Sequence, residues 1–142
     1  KRGIIAGHGY RTQPRALELL SQVLEVPVLA LKLVDERFYH LDTCLSPLSA
    51  STALWVPQAF STEGQALLKK AFETLVEVPL DEATGLLACN GHSPDGRHFI
   101  VQAGATKTNA AVQALGLSVV QLDTSEFLKS GGSVYCMKLM LP

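Results

Sequence analysis

Two hydrophobic periods alternate along the 142 residues, one helical and one strand-like. The apolar run Gly3-Ile4-Ile5-Ala6 predicts a strand that stops at a glycine-punctuated loop, Gly7-His8-Gly9-Tyr10-Arg11-Thr12. Ala16, Leu17, Leu19, Leu20, Val23 and Leu24 then recur at helical spacing behind Pro14, with Thr12 as the expected cap. Val26 to Val34 reads as a strand buried on both faces. Asp35-Glu36-Arg37 reads as a turn into a second buried strand, from Phe38 through Cys44 and on to Leu48. After the turn Ser49-Ala50-Ser51, Thr52 to Val56 returns as a strand ending at Pro57. Ser61 or Thr62 caps a helix running to about Phe72, and Leu75 to Val78 follows as a strand. Asp81 to Gly85 is a polar or one-turn connector. Leu86 to His92 and Arg97 to Gln102 read as a strand pair around the turn Ser93-Pro94-Asp95-Gly96. A helix from Lys107 to Leu115 stops at Gly116. Ser118 to Leu122 is a strand, Ser125 to Leu128 a helical turn, and Ser133 to Leu141 the last strand.

Strands and helices thus alternate with hairpins inserted, which predicts a mixed α/β protein rather than a plain doubly wound sheet. The stretches 38–78 and 86–122 read as one three-strand-plus-helix module written twice. No low-complexity linker interrupts them, so residues 1–142 form one domain.

A hydrophobic share of 47% against 18% charged residues supports a packed core and argues against disorder. Twelve basic residues against thirteen acidic ones, with no run of either sign, argue against a nucleic-acid or membrane-surface partner. No apolar run approaches the roughly 18–20 residues of a membrane span. Three cysteines without a Cys-x-x-Cys spacing favour reduced thiols and a cytoplasmic setting over a disulfide framework. The chain opens Lys1-Arg2-Gly3-Ile4 without Met, which fits a piece of a longer polypeptide.

Cys136 follows the pair Gly131-Gly132, where a strand mouth would leave room for a ligand near the backbone. A thiolate there suits attack on an electrophilic carbon; a buried structural thiol is the alternative. His40 has the chemistry of an acid/base near neutral pH, against a core histidine satisfied by a carbonyl. In a strand Asp42 faces the same side as His40, and its carboxylate suits a guanidinium held by two parallel bonds. A local turn or cap contact is its plainer role. His8, His92 and His98 have no comparable context. His40, Asp42 and Cys44 alternate as zinc ligands could, but no fourth ligand stands at a diagnostic spacing, so no metal is expected. The glycine loop lacks the Lys-Ser/Thr ending of a phosphate cradle.

His40-Leu41-Asp42-Thr43 and Gly131-Gly132-x-x-x-Cys136 resemble motifs of the guanidino-group-modifying superfamily. Gly9-Tyr10-Arg11-Thr12 and Leu87-Ala88-Cys89-Asn90 support the likeness. That superfamily comprises arginine and agmatine deiminases, dimethylarginine dimethylaminohydrolases and amidinotransferases. The bacterial dimethylarginine-hydrolase-like branch looks nearest. The resemblance covers nearly the whole chain, but as the C-terminal half of such an enzyme. It implies the last half of a five-module α/β propeller, with helices outside mixed sheets and no cofactor. It makes Cys136 a nucleophile that forms a thiouronium intermediate and His40 the acid/base. Asp42 would hold the substrate guanidinium, tilting the substrate toward an unmethylated one. Arg11 would hold an α-carboxylate, beside its reading as a solvated loop residue. The backbone of Gly131 and Gly132, with Ser133, would contact substrate near the thiol. A hydrolase is the expected activity. An amidinotransferase, or a non-catalytic half that binds a small cation or serves association, are the alternatives. The family's further upstream carboxylate has no counterpart among Glu18, Glu25, Asp35 and Glu36. Self-association or a missing N-terminal half is the expected remedy.

Overall fold

The computed structural model describes residues 3–141; Lys1, Arg2 and Pro142 lie outside the described residues. Among the described residues seven strands form three small sheets, and each sheet contains one β-α-β unit whose two strands run parallel. In the first unit β1 (Ile4–His8) and β2 (Val28–Lys32) pair with Ile4 opposite Val28, joined by α1 (Pro14–Leu24). Pro14 opens the helix at its first turn, as its fixed φ favours. Gln13, not Thr12, is the residue before the helix, and no side chain caps it. Glu25 ends α1 in a left-handed conformation (φ 52°). β2 is half-covered, with only Leu31 buried, so the apolar run of 26–34 marks a strand covered on one face rather than two.

The second unit is a mixed sheet. β3 (Leu45–Pro47) runs antiparallel to β4 (Thr52–Trp55), which is parallel to β5 (Thr74–Glu77) after α2 (Thr62–Ala71). The Ser61 hydroxyl caps α2 by accepting from the Gly64 N–H at 3.2 Å, and Lys69 and Lys70 close its last turn, favourable to the helix dipole. The third unit follows the short α3 (Leu80–Gly85): β6 (His98–Gln102) pairs in parallel with β7 (Ser118–Leu122), joined by α4 (Thr106–Ala114). Gly116, at φ +88°, lets the chain leave α4 for β7. Two short helices complete the chain, α5 (Ser125–Leu128) and α6 (Val134–Met137). The core runs through the units rather than within each: Leu31, Phe38, Leu54, Phe60, Leu68, Phe99 and Val101 belong to one buried cluster.

The repeat of one module holds, with a strand reduced to a single bridge in its second copy. Leu86 to His92 is not a strand. Ala88 N–H still bonds the Glu82 carbonyl at 3.2 Å, Leu87 turns left-handed (φ 48°), and Asn90 N–H reaches back to Leu87 at 2.7 Å. Only His92 pairs antiparallel, with Ile100. There Gly91 packs so closely on Phe99 that a Cβ would sit 2.9 Å from the Ile100 carbonyl oxygen.

Two further strands give way to turns, and both carry candidate chemistry. Phe38 to Cys44 closes in a 3₁₀ turn, Leu41–Thr43. The His40 carbonyl accepts from Thr43 twice, from its N–H at 3.2 Å and its hydroxyl at 2.7 Å, and Cys44 N–H bonds the Leu41 carbonyl at 3.1 Å. A threonine offering its hydroxyl to the preceding backbone competes directly with sheet pairing. Ser133 to Leu141 forms α6 and then an irregular segment, because the backbone donors of Ser133 and Tyr135 are taken by Asn90.

Candidate functional site

The two candidate segments, far apart in sequence, meet. Cys136 is exposed on α6, and its thiol donates to Asp42 Oδ2 at 3.4 Å. Asp42 lies in the 3₁₀ turn with His40 immediately before it. His40 and Asp42 line one groove of ≈ 360 Å³, walled by Ile5, Ala6 and Gly7 of β1, by Leu45 and Pro47 of β3, and by Tyr135 of α6. Their common side therefore comes from a tight turn and not from strand alternation.

Both protein contacts to the Asp42 carboxylate fall on Oδ2: the Cys136 thiol and the Asn90 side-chain NH₂, the latter at 3.0 Å. Oδ1 has no protein donor among the described residues. A carboxylate half-engaged in this way can still accept an N–H from a planar cation in the groove. His40 makes no hydrogen bond to Cys136 among the described residues; its ring instead meets Tyr39 edge-on, centroids 5.1 Å apart. Tyr39 in turn ties down the glycine loop, because its hydroxyl donates to the Gly131 carbonyl. Gly131 sits at φ +79°, a conformation that a side chain would strain. A Cβ on Gly132 would touch Cys136 Sγ at 3.6 Å, so the absence of a side chain keeps one flank of the thiol open.

Arg11 is exposed in the loop before α1, its guanidinium 5.4 Å from the Tyr39 ring centroid. It does not line the groove. Ser133 is fully buried, and its hydroxyl lies 2.8 Å from that of Thr124. The single Thr124 proton goes to Gln102 Oε1, so Ser133 is the donor of that pair, and its own proton is spent inside the protein. Cys44 and Cys89 are buried, and burial pushes the Cys44 thiol well above the ordinary range. Neither competes with Cys136 as an accessible nucleophile.

Sequence reasoning placed Asn90 in a strand and gave it no role; in the structure it is the hub of the site. Asn90-Gly91 is a turn dipeptide, and that signal pointed away from a strand. Tyr39 was also missed, since a tyrosine in an apolar run reads as core. His92, beside Tyr135 with centroids 5.9 Å apart, is held below its ordinary pKa by burial and by the Lys138 charge.

No family model matches the sequence. The chain is 40% identical over 136 residues to N(G),N(G)-dimethylarginine dimethylaminohydrolase of Mycobacterium tuberculosis, a match covering 96% of this chain and 44% of that protein. Its fold superposes on the N-terminal domain of the cyanobacterial arginine dihydrolase ArgZ, bound to product, with a TM-score of 0.87 and 31% identity. That match covers 95% of this chain and 50% of the domain. A form of that domain covalently bound to a reaction intermediate matches with a TM-score of 0.85. The chain thus spans at most about half the length of these relatives.

Proposed function

The chain belongs to the guanidino-group-modifying superfamily, and from that premise we propose that it carries the nucleophile-bearing portion of a hydrolase acting on C–N bonds of arginine-like compounds. The observation that carries this reading is the meeting of the Cys136 thiol with Asp42, at 3.4 Å, beside a groove shared with His40. The Asp42 carboxylate receives the substrate guanidinium, which brings positive charge to the thiol and favours its ionisation. Cys136 Sγ then bonds to the amidino carbon. The C–N bond to the departing ammonia or alkylamine breaks as His40 protonates that nitrogen. Water, deprotonated by His40, attacks the thiouronium carbon and the C–S bond breaks, leaving a ureido product and the free thiol. Asp42 favours an unmethylated guanidinium, whose N–H groups can meet its oxygens. Arg11 takes an α-carboxylate from its exposed loop before α1, Gly132 gives substrate room beside the thiol, and the buried Ser133 supports the loop.

On this reading the chain is the C-terminal portion, residues 1–142, of a five-module α/β propeller working in the cytoplasm. A second polypeptide segment, or a second copy, supplies the remaining carboxylate. A half that only binds a small cation is the second reading, favoured by the Cys136 thiol bonding Asp42 with no hydrogen bond from His40 among the described residues.

Chloroacetamidine labelling followed by peptide mass mapping separates the two. The hydrolase reading expects modification at Cys136, faster than by iodoacetamide of equal concentration, and protection by L-arginine. Protection without that preference for the amidine leaves a binding module. The absence of both overturns the guanidine site.

A further inference from the structure

Among the described residues, Asn90 is the one bonded to both halves of the candidate site. Its side-chain NH₂ donates to Asp42 twice, to Oδ2 at 3.0 Å and to the backbone carbonyl at 3.2 Å. Its Oδ1 accepts the Ser133 N–H at 2.9 Å, and its backbone carbonyl accepts the Tyr135 N–H at 2.9 Å. Asp42 lies 48 residues before it and Ser133 43 after it. Every polar group of the side chain is used, at 0% exposure, so the residue has no freedom to rotate away.

We propose that Asn90 is a positioning residue that sets the state of the Cys136 thiol through Asp42, a role that rests on the site reading above. The amide donor fixes Oδ2 at the point where the thiol also donates, while the amide oxygen and the backbone carbonyl hold the first turn of α6 against the same carboxylate. One planar amide therefore determines both the carboxylate's rotamer and the height of the sulfur above it. An aspartate of the same shape would keep the Ser133 bond, lose the donor to Asp42 and put a second negative charge beside the thiol. Thiolate formation would then work against two carboxylates instead of one.

The test is the pH profile of iodoacetamide labelling at Cys136 in the intact chain, with Cys136→Ser as the blank. Asn90→Asp should move the midpoint upward by about one pH unit or more, as a like charge at contact distance does. Transposing the pair, Asp42→Asn with Asn90→Asp, should return most of that shift, since one carboxylate and one amide again face the thiol. A folded Asn90→Asp protein with an unmoved midpoint overturns the proposal. Should Asn90→Asp fail to fold, the side-chain amide resonances of Asn90 in the unmodified chain make the same test. They should follow the thiol titration and lose that step in Cys136→Ser, and signals blind to the thiol overturn the proposal. Arginine protection is a separate readout. Its loss with the coupling intact sinks the substrate reading, and an absent coupling with protection intact sinks the role of Asn90.

Discussion

At the residue scale the two carboxylate oxygens of Asp42 are unequal. Oδ2 is occupied by Asn90 and by the Cys136 thiol, whereas Oδ1 faces no protein donor among the described residues. Asp42→Asn keeps the size of the side chain and removes the charge that a guanidinium would meet. We expect the arginine concentration needed to protect Cys136 to rise about 10- to 100-fold, matching the roughly 1.5–3 kcal/mol of a hydrogen bond to a charged group. Competition labelling measures it, and protection unchanged by the substitution would remove Asp42 from the binding site. The same residue shows how alternation in sequence can give the right neighbours for the wrong reason. His40 and Asp42 share the groove because Thr43 folds its hydroxyl back onto the His40 carbonyl and tightens the chain into a turn.

At the scale of elements, α4 has no capping side chain of its own; Ala105 stands at its N-cap. Glu82 of α3 does the work from outside. Its buried carboxylate accepts the N–H groups of Lys107 and Thr108, each at 2.8 Å, and the Thr108 hydroxyl at 2.6 Å. Burial opposes the charge, and the bonds from Thr108 and Lys107 together outweigh it, leaving the carboxyl below its ordinary value of about 4.5. A carboxyl whose pKa is lower folded than unfolded adds stability above the unfolded value and loses it as pH falls through the folded one. Glu82→Gln should therefore cost about 1–3 kcal/mol at pH 7. The difference from the parent should shrink toward acid pH. Urea unfolding at pH 7 and at pH 3 checks both, and an equal difference at the two values would deny the carboxylate its role as a cap.

For the whole molecule, the described residues leave large apolar side chains uncovered. Val23 on α1 is 78% exposed, and Leu139 in the segment after α6 is 83% exposed. Exposed apolar side chains, together with sheets of only two or three strands, favour association. Sedimentation velocity at tens of micromolar should give a species heavier than one chain, dissociating on dilution. A strict monomer at that concentration would remove self-association as the fate of this surface.

The sequence by itself determined the β-α-β units, because their signals are local. Pro14 opens α1, Ser61 caps α2, Gly116 ends α4, and each helix separates two apolar runs that pair in parallel. It also singled out Cys136, His40 and Asp42, since their side-chain chemistry is visible without coordinates. Only the tertiary structure decided how these residues are carried. Segments 38–44, 86–92 and 133–141 have the apolar content of strands, yet their backbone donors and acceptors are claimed by Thr43, by Glu82 and by Asn90 before a strand can form. An asparagine that satisfies partners 48 residues upstream and 43 downstream leaves no periodic trace in a one-dimensional pattern. Its role exists only once both partners are folded against it.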